Sequence, residues 1–117
     1  MLVVFYSETG NVAEFVENTG LDAIEIIDGS ETVDKEFVIV TPTVGDGDVP
    51  DAVLDFLDEH KDKVKGCAAS GNMGWEDTFC VAADKIASDY NVPVLAKFED
   101  EGTDDDVANF KAAFEKL

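Results

Sequence analysis

The sequence predicts an α/β protein with a doubly wound, five-stranded parallel sheet, strand order 2-1-3-4-5, and helices on both faces. Short apolar runs of strand length alternate with segments that repeat apolar residues at helical spacing. The first run, Leu2 to Tyr6, is apolar throughout, as expected of a central parallel strand covered on both faces. A proline precedes the fifth run, which suits an edge strand. A length of 117 residues predicts a single domain spanning 1–117.

The first half of the chain alternates strand and helix patterns with one gap. Apolar residues from Val12 to Thr19 recur at helical spacing, and Gly20 ends that helix. Strands two and three are predicted over 23–27 and 36–41. The link between them has about eight residues and no helical pattern, although a parallel crossover normally needs a dozen or more. Either a boundary lies elsewhere or the second helix of the fold is vestigial.

The second half is regular. Pro50 suits the first turn of a helix with Val53, Leu54 and Leu57 facing inward. Strands four and five are predicted over 67–70 and 94–98, with a helix between them. Its inward positions are Phe79, Ala82, Ala83, Ile86, Ala87 and Tyr90. Thr103 and the acidic run after it predict the N-terminus of the last helix, whose buried stripe is Val107, Phe110, Phe114 and Leu117.

The chain is strongly acidic, with 27 acidic and 8 basic residues and a formal net charge of −19. Nucleic acid is an improbable partner, because binding it needs a basic surface. The acidity favours a free monomer, and it could also steer the protein to a basic partner. A strand pattern starting at residue 2 and the lack of long apolar runs indicate neither a leader peptide nor a membrane span, so we expect a cytoplasmic protein.

Neither cysteine nor histidine predicts catalysis. Cys67 and Cys80 lack the spacing of a redox motif or a metal site, and we expect free thiols that fill the core. His60 lies near the end of a helix, where a cation suits the helix dipole, so we expect a surface position.

Three polar loops predict one ligand site. The carboxyl ends of strands one, three and four meet at the switch point of such a sheet, where ligands bind. Ser7, Thr9, Gly10 and Asn11 precede a helix, and their amides and hydroxyls suit a phosphate. The loop after strand three adds flexible glycine backbone, and Trp75 could stack on a flat ring. A flat heteroaromatic monophosphate, such as flavin mononucleotide (FMN), fits this combination.

These loops resemble those of a known family. The segments 7–12 (SETGNV), 41–43 (TPT) with 47–50 (GDVP), and 69–72 (ASGN) with Trp75 resemble NrdI, a flavodoxin-like flavoprotein that serves class Ib ribonucleotide reductase. So do 83–86 (ADKI), 90–93 (YNVP), and 97–99 (KFE) with 102–103 (GT). The resemblance covers essentially the whole chain in the right order, and it implies a flavodoxin-like fold.

The resemblance also implies a cofactor, partners and site residues. The FMN phosphate would lie on Ser7, Thr9, Gly10 and Asn11, and the ring between the loops at 41–47 and 70–77, stacked on Trp75. The implied cofactor-binding residues are Ser7, Glu8, Thr9, Gly10, Asn11, Val12, Thr41, Pro42, Thr43, Val44, Gly45, Asp46, Gly47, Ser70, Gly71, Asn72, Trp75, Glu76 and Asp77. In the family, reduced flavin reacts with dioxygen, and a superoxide-level oxidant passes to the dimanganese small subunit of the reductase and enables tyrosyl radical formation. The metal would therefore belong to the partner, and a second partner would reduce the flavin.

This sequence departs from the family pattern at three acidic positions. Glu76 follows the tryptophan where the family usually has glycine, Asp46 stands where an aromatic residue is frequent, and Glu8 lies beside the phosphate loop. We hypothesise that these carboxylates disfavour extra negative charge on a reduced flavin and lower its potential. If they point into water instead, screening makes them nearly silent.

Three alternatives remain open at this point. An ordinary flavodoxin that carries single electrons would share the fold and the flavin. A phosphoacceptor signalling domain would need an acidic pair after strand one and an aspartate ending strand three, but Ser7 and Thr41 stand there. A cofactor-free interaction module would stay colourless when FMN is added.

Overall fold

A parallel sheet forms the centre of the protein. The computed structural model describes residues 1–44, 47–71 and 80–117. Within these ranges five strands are present, β1 (Leu2–Phe5), β2 (Ala23–Glu25), β3 (Phe37–Pro42), β4 (Val64–Gly71) and β5 (Val94–Glu99). The helices are α1 (Asn11–Thr19), α2 (Asp51–Glu59), α3 (Val81–Tyr90) and α4 (Asp104–Glu115). Every strand pair is parallel and the order is β2-β1-β3-β4-β5, so the predicted fold class is confirmed.

The two faces of the sheet bury separate apolar layers. Side chains alternate along a strand, so Val4 of β1 faces α2 and α3 while its neighbour Val3 faces α1 and α4. On the α1 side, the Phe15 ring stacks on Phe98 of β5 with centroids 3.8 Å apart, and Phe110 of α4 meets Phe15 edge-on at 5.5 Å. Both faces are therefore covered by helices, as a parallel sheet requires.

The link between β2 and β3 contains no helix. It runs over residues 26–36 and passes across β1, which pairs in parallel with both strands. Strand β2 ends at Glu25, two residues earlier than predicted, and this lengthens the link. Glu31 organises its first turn, because its carboxylate accepts the N–H groups of Ile27 (2.8 Å), Asp28 (3.3 Å) and Gly29 (3.0 Å). One side chain thus satisfies three backbone N–H groups of the helix-free link.

The surface position predicted for His60 is wrong. The residue is only 4% exposed, and its ring stacks on Phe56 at 4.1 Å. Nδ1 lies 2.7 Å from the Phe56 carbonyl oxygen, and Nε2 lies 3.2 Å from the Val33 amide nitrogen. Since the Val33 N–H donates to Nε2, Nδ1 is the nitrogen that donates to the Phe56 carbonyl oxygen. His60 therefore joins the helix-free crossover to the end of α2, a contact between distant parts of the chain that helix position alone could not indicate.

The helix ends follow the predicted signals with small differences. Thr103 caps α4 in a reciprocal capping box with Asp106, and Gly20 ends α1 at φ +68°. Pro50 stands just before α2 rather than within its first turn. Leu117, predicted in the buried stripe of α4, is 45% exposed because the helix ends at Glu115. Phe79, predicted in α3, lies outside the described residues.

Candidate functional site

The turn after β1 presents the N-terminus of α1. The Ser7 hydroxyl oxygen accepts the amide protons of Gly10 at 3.1 Å and Ala13 at 3.3 Å, which ties the turn to the first helical turn. Gly10 adopts φ +93°, and a Cβ built there would meet no atom within 4 Å. The amides of Asn11 and Val12 make no hydrogen bond to a described residue. These N–H groups and the helix dipole favour an anion at this point.

The segment after β3 brings a buried hydroxyl to the same edge. The Thr43 N–H donates to the Ser70 carbonyl oxygen at 2.9 Å, which extends the pairing of β3 and β4 by one residue. Thr43 is 6% exposed, and its Oγ1 has no hydrogen-bond partner among the described residues. A buried hydroxyl without a partner loses its hydration and gains nothing in return.

The ends of β4 and β5 are bonded to each other beside Thr43. The Ser70 hydroxyl donates to the Asp100 carbonyl oxygen at 2.7 Å, and the Asp100 N–H donates to the Gly71 carbonyl oxygen at 3.1 Å. Asp100 has φ +52°, a left-handed conformation that a non-glycine residue seldom adopts. The turn after β5 is therefore held against the end of β4.

A cleft of ≈ 340 Å³ opens where these segments converge. This volume is within the range of small-molecule sites. Its described lining contains two carboxylates and no lysine or arginine, so a phosphate here would rely on amides and hydroxyls. The lining residues are Glu8, Thr9, Asn11, Val12, Pro42, Thr43, Val44, Ser70, Gly71 and Asp100.

Most of the described residues predicted for the site line this cleft. Four others support it: Ser7 holds the helix start, Gly10 begins α1, Thr41 is buried at the end of β3, and Gly47 turns the following segment at φ +98°. The predicted residues Gly45, Asp46, Asn72, Trp75, Glu76 and Asp77 lie outside the described residues.

Asp100 lines the cleft but was not predicted as a site residue. The signal was present, because the turn from Asp100 to Gly102 follows the fifth strand and therefore reaches the same sheet edge as the other loops.

The two cysteines are free thiols, as predicted, and both are buried. Burial raises the pKa of Cys67 to about 12 and that of Cys80 to about 11. The Cys80 Sγ lies 3.3 Å from the Ala69 carbonyl oxygen and 3.5 Å from that of Phe98, so it connects the start of α3 to β4 and β5. Such protonated, buried thiols are poor nucleophiles and contribute packing.

Lys97 forms an ion pair with Asp84 of α3 at 2.8 Å, so its position does not require a phosphoacceptor role. Residues 1–44, 47–71 and 80–117 contain no group of three or more side chains suited to hold a metal ion. None of the helices in these ranges is both long and apolar enough to cross a membrane.

The strand order and the ligand-sized cleft at its switch point define a flavodoxin-like protein. The fold matches a short-chain flavodoxin associated with a non-canonical PDU bacterial microcompartment with a TM-score of 0.73 at 22% identity, over 99% of this chain and 94% of that one. It also matches the Fusobacterium nucleatum flavodoxin bound to flavin mononucleotide with a TM-score of 0.67 at 14% identity, over 98% of this chain and 95% of that one.

Sequence comparison narrows the class further. A family model described as NrdI Flavodoxin like matches residues 3–112. The chain is 42% identical to Protein NrdI of Macrococcus caseolyticus strain JCSC5402, over 100% of this chain and 91% of the relative. The chain belongs to the NrdI flavodoxin-like family, which confirms the resemblance stated above.

Proposed function

We propose that this protein is an FMN flavoprotein that activates the dimanganese small subunit of class Ib ribonucleotide reductase. The observation that carries the proposal is the 42% identity to a Protein NrdI along the entire chain. The solved flavodoxins support a flavin-binding fold, and the NrdI relationship favours the activator role within that fold.

The described residues fit the phosphate of FMN. Asn11 and Val12 would donate their amide protons to it, and the dipole of α1 would stabilise its charge. Gly10 leaves space for close approach, because nothing lies within 4 Å of the position of a Cβ. Ser7 already accepts two amides, so its hydroxyl proton is available to a phosphate oxygen.

The polar groups beside the phosphate end fit the rest of the cofactor. The unpartnered Thr43 Oγ1 would bond to a polar atom of FMN, which removes the cost of burying it alone. By the family resemblance, Trp75 and the residues around Asp46 would flank the ring. When bound and reduced, FMN supplies the electrons that convert dioxygen to a superoxide-level oxidant.

The charge of the chain suits a partner with a basic face. The described cleft carries Glu8 and Asp100 without a compensating lysine, and Glu101 and Asp104 to Asp106 follow in sequence. These carboxylates would attract a basic surface and orient the cleft toward it. The small subunit would receive the oxidant at that contact, and a separate reductant would return the flavin to its reduced state.

Electron paramagnetic resonance tests the proposal. The manganese-loaded small subunit from the same source is mixed with this protein, reduced with FMN, and then exposed to oxygen. We expect a tyrosyl radical that requires both this protein and oxygen. Gly10→Val, which strains the turn at the cleft, should abolish the radical, whereas Gly20→Val at the opposite end of α1 should retain it. An intact, manganese-loaded subunit that gains no radical from the flavin-loaded protein would refute the activator role.

The second candidate is a one-electron carrier of the flavodoxin type, which the TM-score of 0.73 to a flavodoxin favours. The same sample separates the two functions. A carrier would reduce a one-electron acceptor such as cytochrome c without oxygen and would leave the manganese subunit without a radical.

A further inference from the structure

Ser70 occupies the middle of a chain of hydrogen bonds across the cleft floor. Its carbonyl oxygen accepts the Thr43 N–H at 2.9 Å, and its hydroxyl donates to the Asp100 carbonyl oxygen at 2.7 Å. The Asp100 N–H returns to the Gly71 carbonyl oxygen at 3.1 Å. The two segments that follow β3 and β5 are thus fixed to two adjacent residues of β4, and Thr43, Ser70, Gly71 and Asp100 all line the cleft.

The Ser70 hydroxyl has no proton left for a ligand. A serine hydroxyl has one donor proton, and at 2.7 Å that proton is directed to the Asp100 carbonyl oxygen. Ser70 is also only 5% exposed. The family resemblance implied a cofactor-binding role for Ser70, but its geometry is that of a support beneath the cleft.

Asp100 is the part of this arrangement that most needs support. It holds φ +52°, a conformation that is unfavourable for a residue with a Cβ and persists only when its surroundings impose it. The two bonds to Ser70 and Gly71 supply that constraint, because they hold the Asp100 C=O and N–H groups on either side of its Cα. Without the Ser70 hydroxyl, the turn could relax and carry one wall of the cleft away from β4.

We propose that Ser70 is a positioning residue, whose hydroxyl latches the left-handed Asp100 turn to the end of β4 and so sets the width of the cofactor cleft. The inference rests on the proposed function for the identity of the ligand, but the latch is a property of the chain alone. Ser70 acts through Asp100 and does not donate to FMN.

Amide hydrogen exchange of the apoprotein tests the latch without any ligand. Ser70→Ala should accelerate exchange at the Asp100 amide at least tenfold and leave the Val38 to Val40 amides of β3 unchanged. Asp100→Asn is the matched control, because asparagine tolerates a positive φ and removes only the carboxylate. It should exchange as the wild type does. Unchanged exchange at Asp100 in Ser70→Ala would overturn the latch.

Titration of the same proteins with FMN tests the effect on the cleft. Ser70→Ala should weaken FMN binding at least tenfold and change the visible circular dichroism of the bound flavin. The double variant Ser70→Ala, Asp100→Gly should recover much of the affinity, since glycine adopts a positive φ without help. Lost affinity with normal exchange at Asp100 would identify Ser70 as a direct ligand and overturn the proposal. Faster exchange with unchanged affinity would overturn its link to the cleft.

The two hypotheses fail in distinguishable ways. A wild-type protein that ignores FMN would refute the proposed function, and the exchange of the Asp100 amide alone would then decide whether the latch exists.

Discussion

Replacing Thr43 with valine should make the empty protein more stable and its cofactor binding weaker. The substitution exchanges a hydroxyl for a methyl group of similar size. Thr43 Oγ1 is buried and has no partner among the described residues, so its removal relieves an uncompensated desolvation. Leaving such a group unsatisfied costs about 1 to 3 kcal/mol, and Thr43→Val should recover part of it. Each recovered kcal/mol should raise the Tm of a domain of this size by about 3 to 6 °C.

The same substitution should cost binding energy once FMN is present. If the ligand completes the hydrogen bond to Thr43, the loss is about 0.5 to 1.5 kcal/mol, a roughly 2- to 13-fold increase in Kd. Urea unfolding of the apoprotein and fluorescence titration with FMN measure the two effects separately.

Thr19 provides the matched control. It is also buried, but its Oγ1 donates to the Val16 carbonyl oxygen at 2.6 Å and accepts the Leu21 N–H at 3.2 Å. Thr19→Val should therefore destabilise the protein by about 1 to 3 kcal/mol, with the opposite sign from Thr43→Val. If both variants destabilise the apoprotein, or if Thr43→Val binds FMN as tightly as the wild type, the reasoning about the unpartnered hydroxyl is wrong.

Three further substitutions test the crossover and its neighbours. His60→Phe retains an aromatic ring but leaves the Val33 N–H without its acceptor, so urea unfolding should show a loss of about 1 to 3 kcal/mol, and full stability would contradict the assigned contact. Partial burial raises the pKa of Glu31, but three backbone N–H donors outweigh it and hold the pKa below its ordinary 4.5. The stabilisation from the ionised Glu31 is thus present above pH 4.5 and is lost as pH falls through the lower pKa of the folded protein. Glu31→Gln should therefore reduce the dependence of the free energy of unfolding on pH at acid pH. An unchanged dependence would exclude Glu31 as a contributor to the acid sensitivity. Gly29→Ala, at φ +91°, places a Cβ 2.7 Å from a backbone oxygen of α2, whereas the Cβ of Gly20→Ala, at φ +68°, meets nothing within 4 Å. Thermal unfolding should therefore show that Gly29→Ala loses more stability than Gly20→Ala, by about 1 kcal/mol or more. Equal losses would mean that the close approach is relieved elsewhere.

Local patterns were sufficient to predict the fold. The apolar run of β1 and the spacing of Val12, Phe15 and Val16 depend on periodicity, which a sequence displays directly. Thr103 and its acidic first turn likewise predicted the start of α4 through nearest neighbours. In each case the interactions that select the structure lie within a few residues.

The errors arose where distant residues decide the outcome. His60 is buried in contact with the crossover at Val33, and a separation of 27 residues leaves no local signal. The link between β2 and β3, in contrast, showed no helical pattern in the sequence, and the structure has no helix there.

The location of the candidate site was predictable from the sequence, but the hydrogen bonds that stabilise its walls were not. The loops after β1, β3 and β4 could be assigned to one edge from strand order alone, and the described residues after β1 and β3 do meet the end of β4 there. The sequence could not distinguish residues whose side chains face the cleft from residues whose side chains stabilise its walls, because that difference depends on where each side chain makes its hydrogen bond. Ser70 illustrates this: its hydroxyl points to Asp100, a residue 30 positions away.

A titration of the ¹⁵N-labelled apoprotein with FMN determines whether the cleft at the start of α1 binds the cofactor. We predict saturation at one FMN per chain, with the largest amide shifts at Thr9, Asn11 and Val12 and a further shift at Thr43. FMN binding without chemical-shift changes at these amides, or no binding at micromolar protein and millimolar FMN, would mean that this cleft is not an FMN site.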